Sequence, residues 1–112
     1  MPTPTRAAAA ARTDAVFTAL ADPTRRTLLR AVVDRGPVTA TQLADDAAIT
    51  RQGVAKHLRS LADAGLVSAT RDGRETRYVA DLGPLQSATA WVHETEGAWS
   101  KRLGRLQRKL AR

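Results

Sequence analysis

Apolar residues recur at the three- and four-residue spacing of a helix face along most of the chain, and turn or cap residues bound each stretch. The spacing predicts a short first helix over 11–20. A flexible N-terminal arm over residues 1–11, with two prolines and no apolar period, is expected to precede it. A second helix is expected to begin at Asp22-Pro23, because Asp is a favourable N-cap and Pro suits the first helical position. Gly36-Pro37 is expected to end that helix.

Two further helices are predicted in the middle of the chain with only a short connection between them. Thr39 and Gln42 stand at the spacing of a capping box, which indicates a third helix reaching about Ala47. Thr50 is suited to cap a fourth helix over 51–64, which Gly65 ends. A pair of helices joined in this way is a helix-turn-helix.

A hairpin and a long helix are predicted after the helix-turn-helix. Residues 66–80 are rich in Val, Thr and Tyr and contain Asp72-Gly73, a pair typical of a two-residue type I′ turn, so they are expected to form a wing. Apolar residues at helical spacing then predict a last helix over 84–110. The chain is therefore expected to be mainly α with a small β-hairpin. Its predicted order is α-α-α-α-β-β-α, that of a winged helix-turn-helix domain over 12–112.

The predicted fourth helix has two chemically different faces. At roughly 100° per residue, Val54, Leu58 and Leu61 form a narrow apolar stripe that would face the core. Polar side chains lie opposite: Gln52, Lys56 and Arg59. A helix of this width fits the DNA major groove, where Gln, Lys and Arg have the donors and acceptors that distinguish base edges. The outer face of this helix is therefore a candidate for DNA reading.

The candidate DNA-binding residues come from the fourth helix and the wing. Free amides at the helix start suit phosphate, and arginines on a hairpin reach a flanking minor groove or the backbone. The alternatives are a solvated helix face, a packed edge position for His57 and, for the wing, a charged edge strand that resists aggregation. The candidates are Thr50, Arg51, Gln52, Gly53, Lys56, His57, Arg59, Arg71, Arg74 and Arg77.

Composition supports a polyanion partner and excludes several chemistries. The 112 residues carry 18 Lys and Arg against 11 Asp and Glu, a formal charge of +7 that is typical of nucleic-acid binders. There is no Cys, which excludes disulfides, thiolate metal sites and cysteine nucleophiles. Two histidines, with neither a Gly-rich phosphate loop nor a nucleophile motif, argue against an enzyme. No apolar run approaches the length of a membrane span, so the protein is expected to stay in the cytoplasm.

A chain this short has a small core, and its terminal segments hold more large apolar residues than that core would cover. We therefore expect a homodimer joined by the first and last helices. The side chains predicted at this seam are Val16, Phe17, Leu20, Trp91, Trp99, Leu103 and Leu106. A run of basic residues in the last helix would surround the seam with its aliphatic stems.

Three separated segments, 17–26, 49–58 and 61–67, resemble the ArsR (ArsR/SmtB) family of bacterial transcriptional repressors, and the similarity extends over residues 12–110. The resemblance implies a dimer formed by the first and last helices. It also implies a recognition helix over 51–64 and binding to an operator near the protein's own promoter. A palindromic operator follows from two-fold symmetry. The alternative is a winged-helix module that binds other proteins. RNA binding is not favoured, because the outer face of the fourth helix has no aromatic side chain on which a base could stack.

The chain departs from the metal-sensing members of the family it resembles. No Cys occurs in the segment 38–46, where many members sense metals. His93 and Glu96 have the spacing of half a metal site on the last helix, and Asp81 could add a ligand, but Gly83 stands where a histidine would be needed. We therefore expect no metal and no cofactor. The inducer is left open.

Overall fold

The computed structural model describes residues 5–111. Five helices and three strands occur in this part of the chain: α1 (Arg6–Leu20), α2 (Pro23–Arg35), β1 (Val38–Thr39), α3 (Ala40–Ala47), α4 (Arg51–Asp63), β2 (Val67–Asp72), β3 (Glu75–Ala80) and α5 (Leu85–Leu110). The strands form one antiparallel sheet in the order β1-β3-β2. The predicted mainly helical, winged helix-turn-helix fold is confirmed, including the capping box between Thr39 and Gln42.

The first helix is longer than the sequence pattern predicts. It begins at Arg6 rather than Ala11, and the Thr5 hydroxyl accepts a hydrogen bond from the Ala8 amide at 3.0 Å. Alanine has the highest helix propensity, so the alanine run extends the helix even though it buries no apolar face. The predicted arm over residues 1–11 is therefore wrong from Arg6 onward. Its first four residues lie outside the described part of the chain.

The wing differs from its prediction in both its turn and its strand count. Asp72 pairs with Glu75, so the two-residue loop is Gly73-Arg74 and not Asp72-Gly73. Gly73 has φ +62° while Arg74 has no positive φ, which fits a type II′ turn with glycine first rather than type I′. The strand β1 was not predicted, because two residues are too few to show alternation.

The core lies between α2, α3, α4 and the inner side of the sheet. The α4 stripe of Val54, Leu58 and Leu61 is fully buried, as its spacing predicts. It packs in one cluster with side chains from the surrounding elements: Leu28, Leu29, Val32, Val38, Leu43, Leu66 and Val67. Burying one such side chain stabilises the fold by about 1.5–3 kcal/mol, so this cluster determines which side of α4 faces outward.

Side chains of α2 tie the end of α1 to the start of α2. Asp22 caps α2 by accepting hydrogen bonds from the amides of Thr24 (2.8 Å) and Arg25 (3.3 Å). The Arg25 guanidinium donates through Nε to the Ala19 carbonyl at 2.8 Å and through Nη2 to the Thr18 carbonyl at 2.9 Å. These carbonyls lie in the last turn of α1, where intrahelical partners run out. The direction of α1 is thereby set relative to α2.

The same contacts lower the pKa of the Asp22 carboxyl below its usual range. The Arg25 amide is the main cause, followed by the Thr24 amide and the positive charges of Arg25 and His57, while partial burial opposes the shift. A carboxyl whose pKa is lower in the folded than in the unfolded chain stabilises the fold above the unfolded pKa, about 3.9 for aspartate. That contribution disappears as the pH falls through the folded pKa.

We predict that Asp22→Asn lowers Tm at pH 7 because the amide keeps the cap geometry but loses the charge. The difference in Tm from the parent chain should shrink as the pH is lowered from about 5 to 3, where the parent's own carboxylate is being protonated. Thermal unfolding followed by circular dichroism at several pH values measures this. Asp45→Asn, at an exposed position in α3, is the control. A difference that grows toward low pH would contradict the assignment.

Candidate nucleic-acid interface

The outer face of α4 is formed as the sequence predicts. Gln52, Lys56 and Arg59 are exposed, and Arg51 is exposed at the first position of the helix. None of these four side chains forms an ion pair with any residue in the range 5–111. Their amide, ammonium and guanidinium groups therefore face solvent with their hydrogen-bonding capacity free. This is the chemistry that reads base edges in a major groove.

Thr50 and Gly53, two of the candidates at the start of α4, have structural roles in beginning the helix. The Thr50 hydroxyl caps the helix by accepting a hydrogen bond from the Gly53 amide at 3.0 Å. A β-carbon on Gly53 would lie 3.0 Å from Ile49 Cγ2 and 3.1 Å from Thr50 Oγ1. Glycine at this position therefore allows the connection before α4 to pack closely against the helix. Its presence is explained without a ligand.

His57 lies at the edge of the outer face and not at its centre. The side chain is half-buried, and its proximity is one of the smaller causes of the lowered pKa of the Asp22 carboxyl. His57 is therefore less exposed than Gln52, Lys56 and Arg59, and its contact with DNA stays a prediction.

The three arginines of the wing are in different states. Arg74 lies at the turn and is exposed, and Arg71 is exposed with Nε donating to the Gly73 carbonyl at 3.2 Å. Arg77 is half-buried, and its guanidinium lies 3.6 Å from an Asp72 carboxylate oxygen and 3.1 Å from a Glu75 one. Its charge is thus balanced within the hairpin. Arg71 and Arg74 remain available to an external anion.

A groove between α4 and the wing brings candidates from separate elements together. It has a volume of about 450 Å³, and Arg51 from α4 lines it together with Arg71 and Arg74 from the wing. The first turn of α3 supplies Thr41 and Gln42, which the sequence did not indicate as groove residues because their approach depends on how α3 packs against the sheet. Glu75 also lines the groove but pairs with Arg77, so the three guanidinium groups leave the concavity electropositive, as phosphate binding requires.

A second exposed surface, apolar in character, runs along α1 and α5. The rings of Phe17 and Trp91 pack edge to face with centroids 5.8 Å apart, yet both remain substantially exposed. Val16 is only 1% exposed because it packs inside the protomer, so its predicted place at a dimer seam is wrong. Leu20 is half-buried against the core. The other predicted seam residues are exposed on α5: Trp99, Leu103 and Leu106.

Much of α5 lies outside the body of the domain. The helix has 26 residues, a length of about 39 Å, and almost all of it beyond Ala88 is exposed. The radius of gyration is 18.9 Å, whereas a compact domain of this length would have roughly 13 Å. The apolar side chains of this segment therefore have too little of the chain to pack against.

Within residues 5–111, no three His, Cys, Asp or Glu side chains converge in a way that could hold a metal. His93 Nδ1 lies 3.9 Å from a Glu96 oxygen, which is the i,i+3 contact expected on a helix face. In the same part of the chain, none of the helices combines the length and apolar character needed to span a bilayer.

Comparison with known proteins agrees with this geometry. Residues 20–68 match the family described as a helix-turn-helix domain. The chain is 40% identical over 86 residues to the uncharacterized HTH-type transcriptional regulator YuzN of Bacillus subtilis, covering 70% of this chain and 94% of YuzN. It is also 45% identical over 80 residues to a probable mercury resistance operon repressor of Streptomyces lividans, covering 66% of this chain and 63% of that protein.

A solved structure extends the comparison to nearly the whole domain. An ArsR-like transcriptional regulator from Rhodococcus sp. RHA1 superposes with a TM-score of 0.76 and 33% sequence identity, covering 88% of this chain and 92% of that one. The fold and site thus define a winged helix-turn-helix protein. The chain belongs to the ArsR family of transcriptional regulators.

The turn between α3 and α4 generates a prediction about stability. Ala48 has φ 54° and ψ 31°, a left-handed conformation that costs a residue with a β-carbon about 1–2 kcal/mol. Glycine removes that cost but raises the entropy of the unfolded chain, by about 0.5–1 kcal/mol. We therefore expect Ala48→Gly to raise the free energy of unfolding by up to about 1 kcal/mol.

Urea denaturation measures this effect, and Ala47→Gly is the matched control at the last residue of α3. Because Ala47 is helical, glycine there should lower the free energy of unfolding by about 0.5–1 kcal/mol. Equal losses of stability in the two variants would show that the backbone of Ala48 is not under the strain inferred.

Proposed function

We propose that the chain is a homodimeric transcriptional repressor that binds a palindromic operator in the cytoplasm, at the nucleoid. The observation that carries this proposal is the exposed polar face of α4 beside an arginine-lined groove on the wing side. A repressor of this kind acts by occupying DNA, so the role proposed is binding and not catalysis. The formal charge of +7 favours the approach to a polyanion.

The placement of charge supports a division of labour on DNA. Gln52 and Lys56 project from the first half of α4, where a helix in the major groove approaches base edges. Arg51 and Arg59 are suited to contact either a base or a phosphate. Arg74 at the wing turn is suited to hold the backbone of the DNA, and Arg71 lies beside it along the same groove. We propose that Arg77 braces the hairpin through its two carboxylate partners instead of contacting DNA.

We predict different consequences for the two kinds of contact. Gln52→Ala or Lys56→Ala should cost about 1–3 kcal/mol at the operator and relax the preference at particular base pairs. Arg74→Ala should weaken binding to all DNA sequences by a similar factor. It should also reduce the magnitude of the slope of log affinity against log salt concentration by about one per protomer. Arg77→Ala is the matched control on the same hairpin and should change that slope least.

Selection of bound DNA fragments followed by binding assays at several salt concentrations tests these outcomes. A changed sequence preference in Arg74→Ala, with an unchanged one in Gln52→Ala and Lys56→Ala, would reverse the assignment of reading and holding. If the parent chain bound no DNA with sequence preference, the winged-helix protein-interaction module would become the better explanation.

The dimer is proposed on the exposed apolar surface of α1 and α5. Phe17, Trp91, Trp99, Leu103 and Leu106 form a ridge that a single protomer leaves in water, and a patch of this kind marks an association surface. A two-fold dimer would present two copies of α4 to major grooves about 34–36 Å apart, or a multiple of that distance. This is why we propose a palindromic operator.

We predict that Leu106→Glu dissociates the dimer without unfolding the protomer. Leu106 is 44% exposed in the protomer, so a carboxylate there stays hydrated in the monomer but would be buried at the seam twice per dimer. The dissociation constant should rise by about 100-fold or more. Ser100→Glu is the control, because Ser100 is exposed on α5 but lies about 120° around the helix from Leu106. Light scattering measures mass and circular dichroism checks the fold; an unchanged mass would exclude this seam.

A further inference from the structure

A second concavity lies away from the DNA-facing groove and shares no lining residue with it. It has a volume of about 350 Å³ and opens where the end of α1, the outer side of α2 and the start of α5 meet. Its floor is apolar and comes from three separate segments: Leu20, Leu29, Val33, Leu82 and Leu85. Val33 and Leu82 are among the exposed large hydrophobic residues, so two apolar side chains of this groove face solvent in the protomer.

The rim of the groove is unevenly charged. Arg30 Nε lies 3.3 Å from both carboxylate oxygens of Asp34, so those two charges balance each other. Arg26 donates to the Leu20 carbonyl at 2.6 Å and, within residues 5–111, forms no ion pair. One guanidinium charge is therefore left over beside an apolar floor. A guanidinium binds a carboxylate through strong charge-assisted hydrogen bonds, and Arg26 keeps further N–H donors beside the one that the Leu20 carbonyl accepts from.

We propose that this groove binds a small amphipathic carboxylate, with its aliphatic or aromatic tail on Leu29, Val33 and Leu82 and its carboxylate on Arg26. The volume lies within the range of about 300–1,000 Å³ found for small-molecule sites, which are mostly apolar with few polar groups. The excess charge selects an anion over a neutral or cationic molecule of the same shape. Its apolar floor excludes inorganic anions as the main ligand, since these would gain nothing from it.

The position of the groove connects a bound ligand to the DNA-facing surface. Leu20 is the last residue of α1, Leu85 is the first residue of α5, and α2 packs directly against α4. A ligand in contact with all three segments would bias the angle between the seam helices and the helix that reads DNA. We propose that it lowers operator affinity, a step that rests on the function proposed above. Binding to the free protein does not depend on that function.

Titration of the full chain with octanoate, followed by the methyl NMR signals of Val33, Leu82 and Leu85, tests the site directly. 1-Octanol and octylamine, which also have eight-carbon chains, serve as the neutral and cationic probes. We expect octanoate to bind about ten-fold more tightly than either probe. Arg26→Gln should reduce octanoate affinity to that of 1-octanol and leave the affinity for 1-octanol unchanged, and Arg26→Lys should restore part of the difference.

Val33→Trp should fill the groove and abolish octanoate binding. Val92→Trp is the matched control, because Val33 is 43% exposed and Val92, outside the groove on α5, is 40% exposed. Equal affinity for octanoate and 1-octanol, or undiminished binding by Val33→Trp, would overturn the proposal. Loss of self-association by Val33→Trp without octanoate binding by the parent chain would also overturn it, because the groove would then be covered by the second protomer.

A second measurement separates this site from the proposed function. Octanoate should weaken operator binding by the parent chain, while Val33→Trp should bind the operator equally well with or without octanoate. Octanoate binding without any effect on a measurable operator complex would overturn the regulatory step alone. A parent chain that binds octanoate but no operator would contradict the repressor function and leave the ligand site supported.

Discussion

Burial of the apolar stripe of α4 is the constraint on which the rest of the structure depends. Val54, Leu58 and Leu61 lie at the centre of the cluster to which α2, α3 and the sheet contribute. Since these three side chains occupy one side of a rigid helix, the polar residues on its other side must point away from the core. Gln52, Lys56 and Arg59 face outward because the opposite side is held by the core and not because of contacts of their own.

The junction around Asp22 connects this core to α1. Asp22 caps α2 while Arg25 and Arg26 satisfy carbonyls in the last turn of α1, so a single turn of α2 holds the end of another helix. The Arg25 guanidinium thus replaces hydrogen bonds that the end of α1 would otherwise take from water. The orientation of the surface proposed for dimer formation is consequently coupled to that of the helix proposed to read DNA. A ligand in the neighbouring groove would act on this same relative orientation.

Charge is distributed unequally over the wing, and the inequality has a structural cause. Arg77 lies on the central strand of the sheet, where its guanidinium meets Asp72 and Glu75 on either side of the turn. Arg71 and Arg74 lie nearer the exposed turn, and the groove joins them to Arg51 of α4. Three arginines that look equivalent in the sequence therefore have different surroundings, because the register of the hairpin decides which of them lies beside a carboxylate.

The sequence by itself determined the later helices, the caps of α2, α3 and α4 and the inward and outward sides of α4, since these depend on spacing and on contacts within a few residues. The capping box at Thr39 and the core stripe of α4 are examples. Only the tertiary structure decided that β1 pairs with β3, that Val16 packs inside the protomer and that Arg51, Arg71 and Arg74 share one groove. Each of these depends on residues far apart in the chain. Their distances are set by how the elements pack, which periodicity along one element does not encode.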